Sequence, residues 1–193
     1  MALYKLRDFI PDYQEYFDHD DILKYDLYVG NDKVGSIDDL LVDDKGQFRY
    51  FLINTGIWLF GKKVLLPVGL ARIDYIEHRV HADTLSKEQV ENLPEYSEDM
   101  TVDFEHEEGV RKVYRSGRRE KTPAGLGVGY GGADSAPSTP NTTPSVDLSA
   151  GYDGYDKDSY DYNLDRDLYD LSEQNHAKLL SSQERLRLRR QNR

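Results

Sequence analysis

Apolar and polar positions alternate most densely between Lys33 and Pro67. In the run Phe48–Thr55, Phe48, Tyr50 and Leu52 fall on one face of an extended chain and Arg49, Phe51 and Ile53 on the other, because successive strand side chains point to opposite sides. Both faces carry large apolar groups, so this strand is expected to be central and covered on both sides. Lys33–Val42 precedes it across the turn sequence Asp43-Asp44-Lys45-Gly46. Shorter strands are predicted at Asp26–Val29, Val64–Val68, Ala71–Tyr75 and Arg79–Ala82, with Gly30-Asn31-Asp32 as a hairpin turn. Pro67 suits a strand end or an edge. Six short strands within about 60 residues, joined by tight turns, predict a small all-β barrel or sandwich.

A helical pattern shows in two places. Ser86–Leu93 is predicted as a short helix, with Ser86 as its cap, Gln89 as the capping-box partner and Pro94 as its stop. Leu171–Arg193 favours a helix, with Leu179, Leu186 and Leu180 as its apolar stripe and a basic end that includes Arg185, Arg187, Arg189, Arg190 and Arg193. Residues 1–19 fit neither period. Tyr4, Phe9, Tyr13, Tyr16 and Phe17 stand among acids, and Pro11 breaks any long helix. They are predicted as a lead-in that lays aromatic rings on a domain spanning residues 20–100.

Residues 101–170 read as a disordered linker. Asp103–Glu108 is acidic, Arg111–Lys121 is basic, Thr122–Ala150 is rich in Gly, Pro, Ser and Thr, and Gly151–Asp170 repeats Tyr beside Asp. Such sequence buries too little apolar area to offset its ordering entropy. Residues 171–193 form the basic, helical tail.

Composition supports one domain with appended disordered sequence. The 193 residues are 38% hydrophobic and 32% charged, thin for a single globular body of this length. A net charge of −11 gives no overall field for nucleic acid, so any such binding requires a local basic patch. With no cysteine, disulfides, thiolate zinc sites and a cysteine nucleophile are excluded. The N-terminus lacks the apolar core of a secretory signal. No run approaches the roughly 20 apolar residues of a membrane helix. The expectation is a soluble, cytoplasmic protein.

Candidate chemistry is sparse. Gly56–Lys63 resembles a phosphate-binding loop, but Lys63 stands where that motif has a hydroxyl, the intervening Ile57-Trp58-Leu59-Phe60 is bulky, and a strand follows instead of a helix. The reading preferred for this segment is a hairpin connection. Its functional alternative is a docking knob for a protein partner, made by Trp58 and Phe60 with Lys62 and Lys63 beside them. Asp38, Asp39, Asp43 and Asp44 lack the spacing of a calcium loop and read as turn and edge solvation. Asp18-His19-Asp20-Asp21 is too contiguous to converge on one metal ion. The histidines do not cluster, and no catalytic triad or carboxylate pair is evident. No catalytic, cofactor-binding or metal-binding residue is therefore assigned, and a non-enzymatic protein is expected. Arg111, Arg115, Arg118 and Arg119, together with the Arg-rich end, offer a nucleic-acid contact. Neutralisation by the neighbouring acidic blocks is the preferred explanation of both.

Three blocks carry a family resemblance: Lys33-Val34-Gly35-Ser36-Ile37-Asp38-Asp39-Leu40-Leu41-Val42-Asp43, Arg49-Tyr50-Phe51-Leu52-Ile53-Asn54-Thr55-Gly56 and Gly61-Lys62-Lys63-Val64-Leu65-Leu66-Pro67-Val68. In this order they resemble the PRC-barrel domain, named for the cytoplasmic domain of the photosynthetic reaction-centre H subunit. The likeness continues to Tyr96. The lead-in and the acidic, tyrosine-rich tail look like those of stand-alone cyanobacterial members akin to the akinete marker protein. The resemblance implies a six-stranded PRC-type β-barrel that binds other macromolecules and carries no catalytic residues. It implies an adaptor linked to photosynthetic membrane complexes or to stress and dormancy, peripheral to the membrane. The alternatives are an RNA- or ribosome-associated factor, as for the related barrel of the ribosome maturation factor, and an accessory to photosynthetic electron or proton transfer. Edges at Asp26–Val29 and Arg79–Ala82 offer a route to a homodimer.

Overall fold

A computed structural model describes residues 2–18, 21–56, 61–83, 85–121, 155–172 and 176–191. Seven strands form one sheet: β1 (Leu3–Lys5), β2 (Asp26–Val29), β3 (Asp32–Asp43), β4 (Phe48–Asn54), β5 (Lys63–Pro67), β6 (Arg72–Asp74) and β7 (Arg79–His81). The order is β5-β4-β3-β2-β7-β6, with β1 paired to β3 off this path. The twelve-residue β3 organises the sheet. One edge pairs antiparallel with β4, and the other takes β2 along its first half and β1 along its last three residues. Register shifts at Ile37/Asp39 and Leu41/Val42 bend the strand, as bulges do.

Three expectations change here. Among the described residues the strands number seven rather than six, because the lead-in supplies β1. Among the described residues the sheet is not closed into a barrel, since β5 and β6 end it without pairing. The supposed free edges β2 and β7 pair with each other in parallel, Asp26 with Arg79 through Tyr28 with His81.

β4 is central and buried along both faces, from Phe48 through Ile53. Its neighbours on the sheet include Leu40, Leu41, Val42, Leu65 and Leu66, all buried. The lead-in adds Tyr13, Tyr16 and Phe17 to the core, and Phe17 stacks on Phe48 at 5.9 Å. The acids read as solvated include two that are buried. Asp39 accepts the Leu6 and Leu40 amides, and Asp43 accepts the Lys45 and Gln47 amides and pairs with Arg49.

The helices are α1 (Leu6–Phe9), α2 (Lys87–Asn92), α3 (Phe104–Lys121), α4 (Arg166–Tyr169) and α5 (Ala177–Gln191). Ser86 and Gln89 make the capping box at α2. Much of the sequence read as linker is structured. The Asp103 carboxylate caps α3 by accepting the His106 amide, and Val110, Arg111 and Tyr114 are buried. The Tyr114 hydroxyl donates to the Leu65 carbonyl at 2.9 Å. Residues 155–172 lay Tyr162, Leu168, Tyr169 and Leu171 into the core, and α5 adds Leu179 and Leu186. In the Tyr-Asp repeat, Asp156, Asp161 and Asp170 accept backbone amides two residues ahead, forming turns, while Tyr162 and Tyr169 go inside. The Gly/Pro/Ser/Thr-rich Thr122–Ala150 lies outside the described residues.

The C-terminal segments seat where the sheet stays open. Gly69, in the connection between β5 and β6, lies so close to α4 that a Cβ there would stand 2.8 Å from the Asp167 carbonyl oxygen and 2.9 Å from the Asp170 nitrogen. Next to it, the His176 ring meets the Ala71 carbonyl. Farther along, the Phe48 amide donates to Gln183 of α5 at 2.7 Å.

Candidate functional site

The β4–β5 connection leaves the sheet between two left-handed glycines, Gly56 with φ 54° and Gly61 with φ 79°. Its feet are fixed. The Gly61 amide donates to the Gly56 carbonyl at 2.5 Å, and the Thr55 amide and hydroxyl both donate to the Lys62 carbonyl, at 3.1 and 2.7 Å. The Asn54 side chain accepts the Gly56 amide. Trp58 and Phe60, the candidate docking pair, lie outside the described residues.

Lys62 and Lys63 flank this connection and have internal partners. Lys62 donates to the Glu91 carbonyl at the end of α2. Lys63 donates to Asp38 at 2.8 Å and pairs with Glu98, which Lys5 of β1 also contacts. Hydrogen bonds from Lys5 and then Lys63 hold the Glu98 carboxyl down at about 2, and those to Asp38 and Glu98 raise Lys63. The pair of lysines thus fastens the foot of the connection to α2, β1 and the segment after it.

A second constellation lies between the sheet and the C-terminal segments. Glu107 of α3 is 4% exposed and accepts the hydroxyls of Tyr50 at 3.1 Å and Tyr162 at 2.8 Å, along with Arg111 Nη1 at 2.9 Å. The Tyr50 and Tyr169 hydroxyls meet at 2.5 Å. Arg111 also reaches Glu108 and lies 3.8 Å from the Tyr160 ring centre. Arg115 bridges Glu108 and Asp165, joining α3 to the segment before α4. Arg49 pairs with Asp43 and stacks 3.8 Å over Tyr162. Burial pushes up the Glu107 carboxyl and, well above the ordinary range, the Tyr50, Tyr162 and Tyr169 hydroxyls. These phenols therefore stay protonated at neutral pH. Glu107 is sealed from solvent, and its bonds tie α3 to β4 and to residues 162–169.

This geometry relocates the arginines of the nucleic-acid reading. Arg111 is fully buried and Arg115 is held by two acids. The side chains of Arg118 and Arg119 lie outside the described residues. In the basic end, Arg185 pairs with Asp18 and Arg189 with Asp12. The sequence signal for this cluster is Glu107 and Arg111 four apart with the glutamate first, the spacing that favours a helical ion pair. Among the described residues no three His, Asp or Glu side chains are placed to hold a metal ion, and no helix is long and apolar enough to cross a membrane.

Residues 14–89 match the PRC-barrel domain. That part of the chain is thus similar to the PRC-barrel domain, and it belongs to an open sheet. Over 94 residues it is also 36% identical to an uncharacterized protein of Deinococcus radiodurans, a match covering 48% of this chain and 34% of that relative's length.

Proposed function

We propose that the protein is a non-catalytic docking module whose β4–β5 connection engages a protein partner. One observation carries this reading. The apolar sequence Ile57-Trp58-Leu59-Phe60 lies in the chain between feet locked by two left-handed glycines, a hydrogen-bonded Thr55–Lys62 pair and two anchored lysines. A tether fixed at both ends reduces the entropy lost when aromatic anchors dock, and aromatic residues dominate binding hot spots. The partner class suggested by the family resemblance is a photosynthetic or stress-related complex.

RNA or ribosome association is the weaker alternative, because Arg111 and Arg115 are committed to internal acids. A role as an accessory to electron or proton transfer rests on the resemblance alone.

The test is affinity purification from the native cell, comparing wild type with a Trp58→Ala/Phe60→Ala double variant of matched thermal stability. Loss of two hot-spot side chains is expected to cut recovery of the specific partner by about tenfold or more. Equal recovery by both proteins overturns the proposal.

A further inference from the structure

A cleft of about 510 Å³ opens at the other end of β4, between the β3–β4 turn, residues 161–172 and α5. We propose that it binds a soluble phosphate monoester. Its size lies within the range of small-molecule sites. Its charge runs against that of the molecule: Lys45, Arg49, Arg166 and Arg187 line it with Asp161 and Asp170, and the buried Asp43 offsets Arg49, which still leaves cations in excess in a chain of net charge −11.

Each of the two acids is engaged by a local backbone bond. Asp161 accepts the Asn163 amide at 2.7 Å and Asp170 the Ser172 amide at 2.8 Å. Apart from Arg49, the cations are less committed. Lys45 and Arg187 have no ion-pair partner among the described residues. Arg166 is exposed.

Arg49 gives the cleft a built anchor. It is 9% exposed. Its Nε and Nη2 are held by Asp43 at 3.0 and 2.8 Å, and its plane rests on Tyr162. Nη1 makes no hydrogen bond to the described residues and is the guanidinium nitrogen left for a ligand. A fork fixed in this way loses little rotamer freedom on binding.

Guanidinium and ammonium groups gathered in one cleft suit the oxygens of a phosphate dianion better than a singly charged carboxylate. The organic part of the ester has an apolar wall in Leu171, Leu180 and the rings of Tyr162 and Tyr169, whose hydroxyls are engaged inside with Glu107 and Tyr50. The site shares no residue with the β4–β5 connection, so its test is independent of the docking proposal.

Calorimetry on the full chain with inorganic phosphate and glucose 6-phosphate tests the cleft, with phosphatidic acid vesicles as the lipid arm. Saturable one-to-one binding is expected, tighter for the ester. It should weaken by about tenfold in Arg166→Gln or Arg187→Gln and stay unchanged in Lys112→Gln, a cation exposed elsewhere. Because a phosphate monoester gains its second charge near pH 6, binding should be stronger at pH 7.5 than at pH 5. Thermal unfolding confirms that each variant is folded. Absence of binding by both soluble phosphates, an equal loss in Lys112→Gln, or binding to vesicles alone each overturns the proposal.

Discussion

Arg111 and Glu107 show how far an ionic pair can be drawn into this protein. Arg111 is fully buried and Glu107 4% exposed, and the pair is held by Glu108, Tyr50 and Tyr162 as well as by its own contact. Removing water from two charges is costly, and hydrogen bonds offset it at Glu107 and at Arg111 Nε and Nη1, while Arg111 Nη2 is buried with no hydrogen-bond partner among the described residues. The consequence for pH follows from direction alone. Burial raises the Glu107 carboxyl above its unfolded value, so its contribution to stability is complete at acid pH below that value and declines as pH rises through the folded pKa. Glu98 acts in the opposite sense. Its folded value of about 2 against an ordinary 4.5 gives a contribution that is complete above pH 4.5 and lost as pH falls toward 2. Denaturant titrations across pH should therefore show Glu98→Gln losing the acid limb of the wild-type profile, and Glu107→Gln losing the decline that starts above the ordinary glutamate value. Because Glu98 is half-exposed, adding salt should shrink its effect. A Glu98 variant with an unchanged acid limb would contradict this account.

Among the elements, the strands were legible and the covering layer was not. Phe48–Ile53 announced a doubly buried strand because both of its faces are apolar, and Ser86 with Gln89 announced a helix start. α3 was hidden by reading its charges as blocks instead of at helical spacing: Glu107 with Arg111, and Glu108 with Arg111 and Arg115, form ion pairs along the helix. The 155–172 segment was hidden by its aspartates, which look solvating in composition but make turns that aim Tyr162 and Tyr169 inward. Nothing in the sequence showed that β5 and β6 fail to pair, since that depends on how the connection between them packs against α4. Lys62 and Lys63 stood out by sequence, whereas their partners Asp38, Glu91 and Glu98 are distant in the chain. The same packing yields a prediction at Gly69. Gly69→Ala places a methyl against the backbone of Asp167 and Asp170, so it should cost about 1–3 kcal/mol in chemical denaturation and loosen residues 165–172. Hydrogen exchange at the Asp170 amide, which bonds Arg166 in the native protein, reads that loosening. A variant as stable and as protected as wild type would show that α4 does not seat on this connection.

For the molecule as a whole, an open sheet raises the question of its ends. The appended chain partly answers it. The Lys63 and Leu65 carbonyls of β5 accept the Tyr96 amide and the Tyr114 hydroxyl, and the His176 ring meets the Ala71 carbonyl beside β6. Uncovered strand edges invite pairing between chains. Residues 1–100 alone should therefore associate with rising concentration in light scattering, while the full chain does so less. Equal behaviour would mean that the covering contacts do not guard the edges. The distance along the chain between the sheet and its cover has a consequence in time. Gln183 bonds Phe48 across 135 positions and Tyr169 bonds Tyr50 across 119. At a synthesis rate of about 5–20 residues per second, a ribosome that has finished α3 needs roughly 4–14 seconds more to reach the end of α5. During that interval the strands have been made but their last layer has not, and the apolar face of β4 waits for Tyr162, Tyr169 and Leu186 to close it.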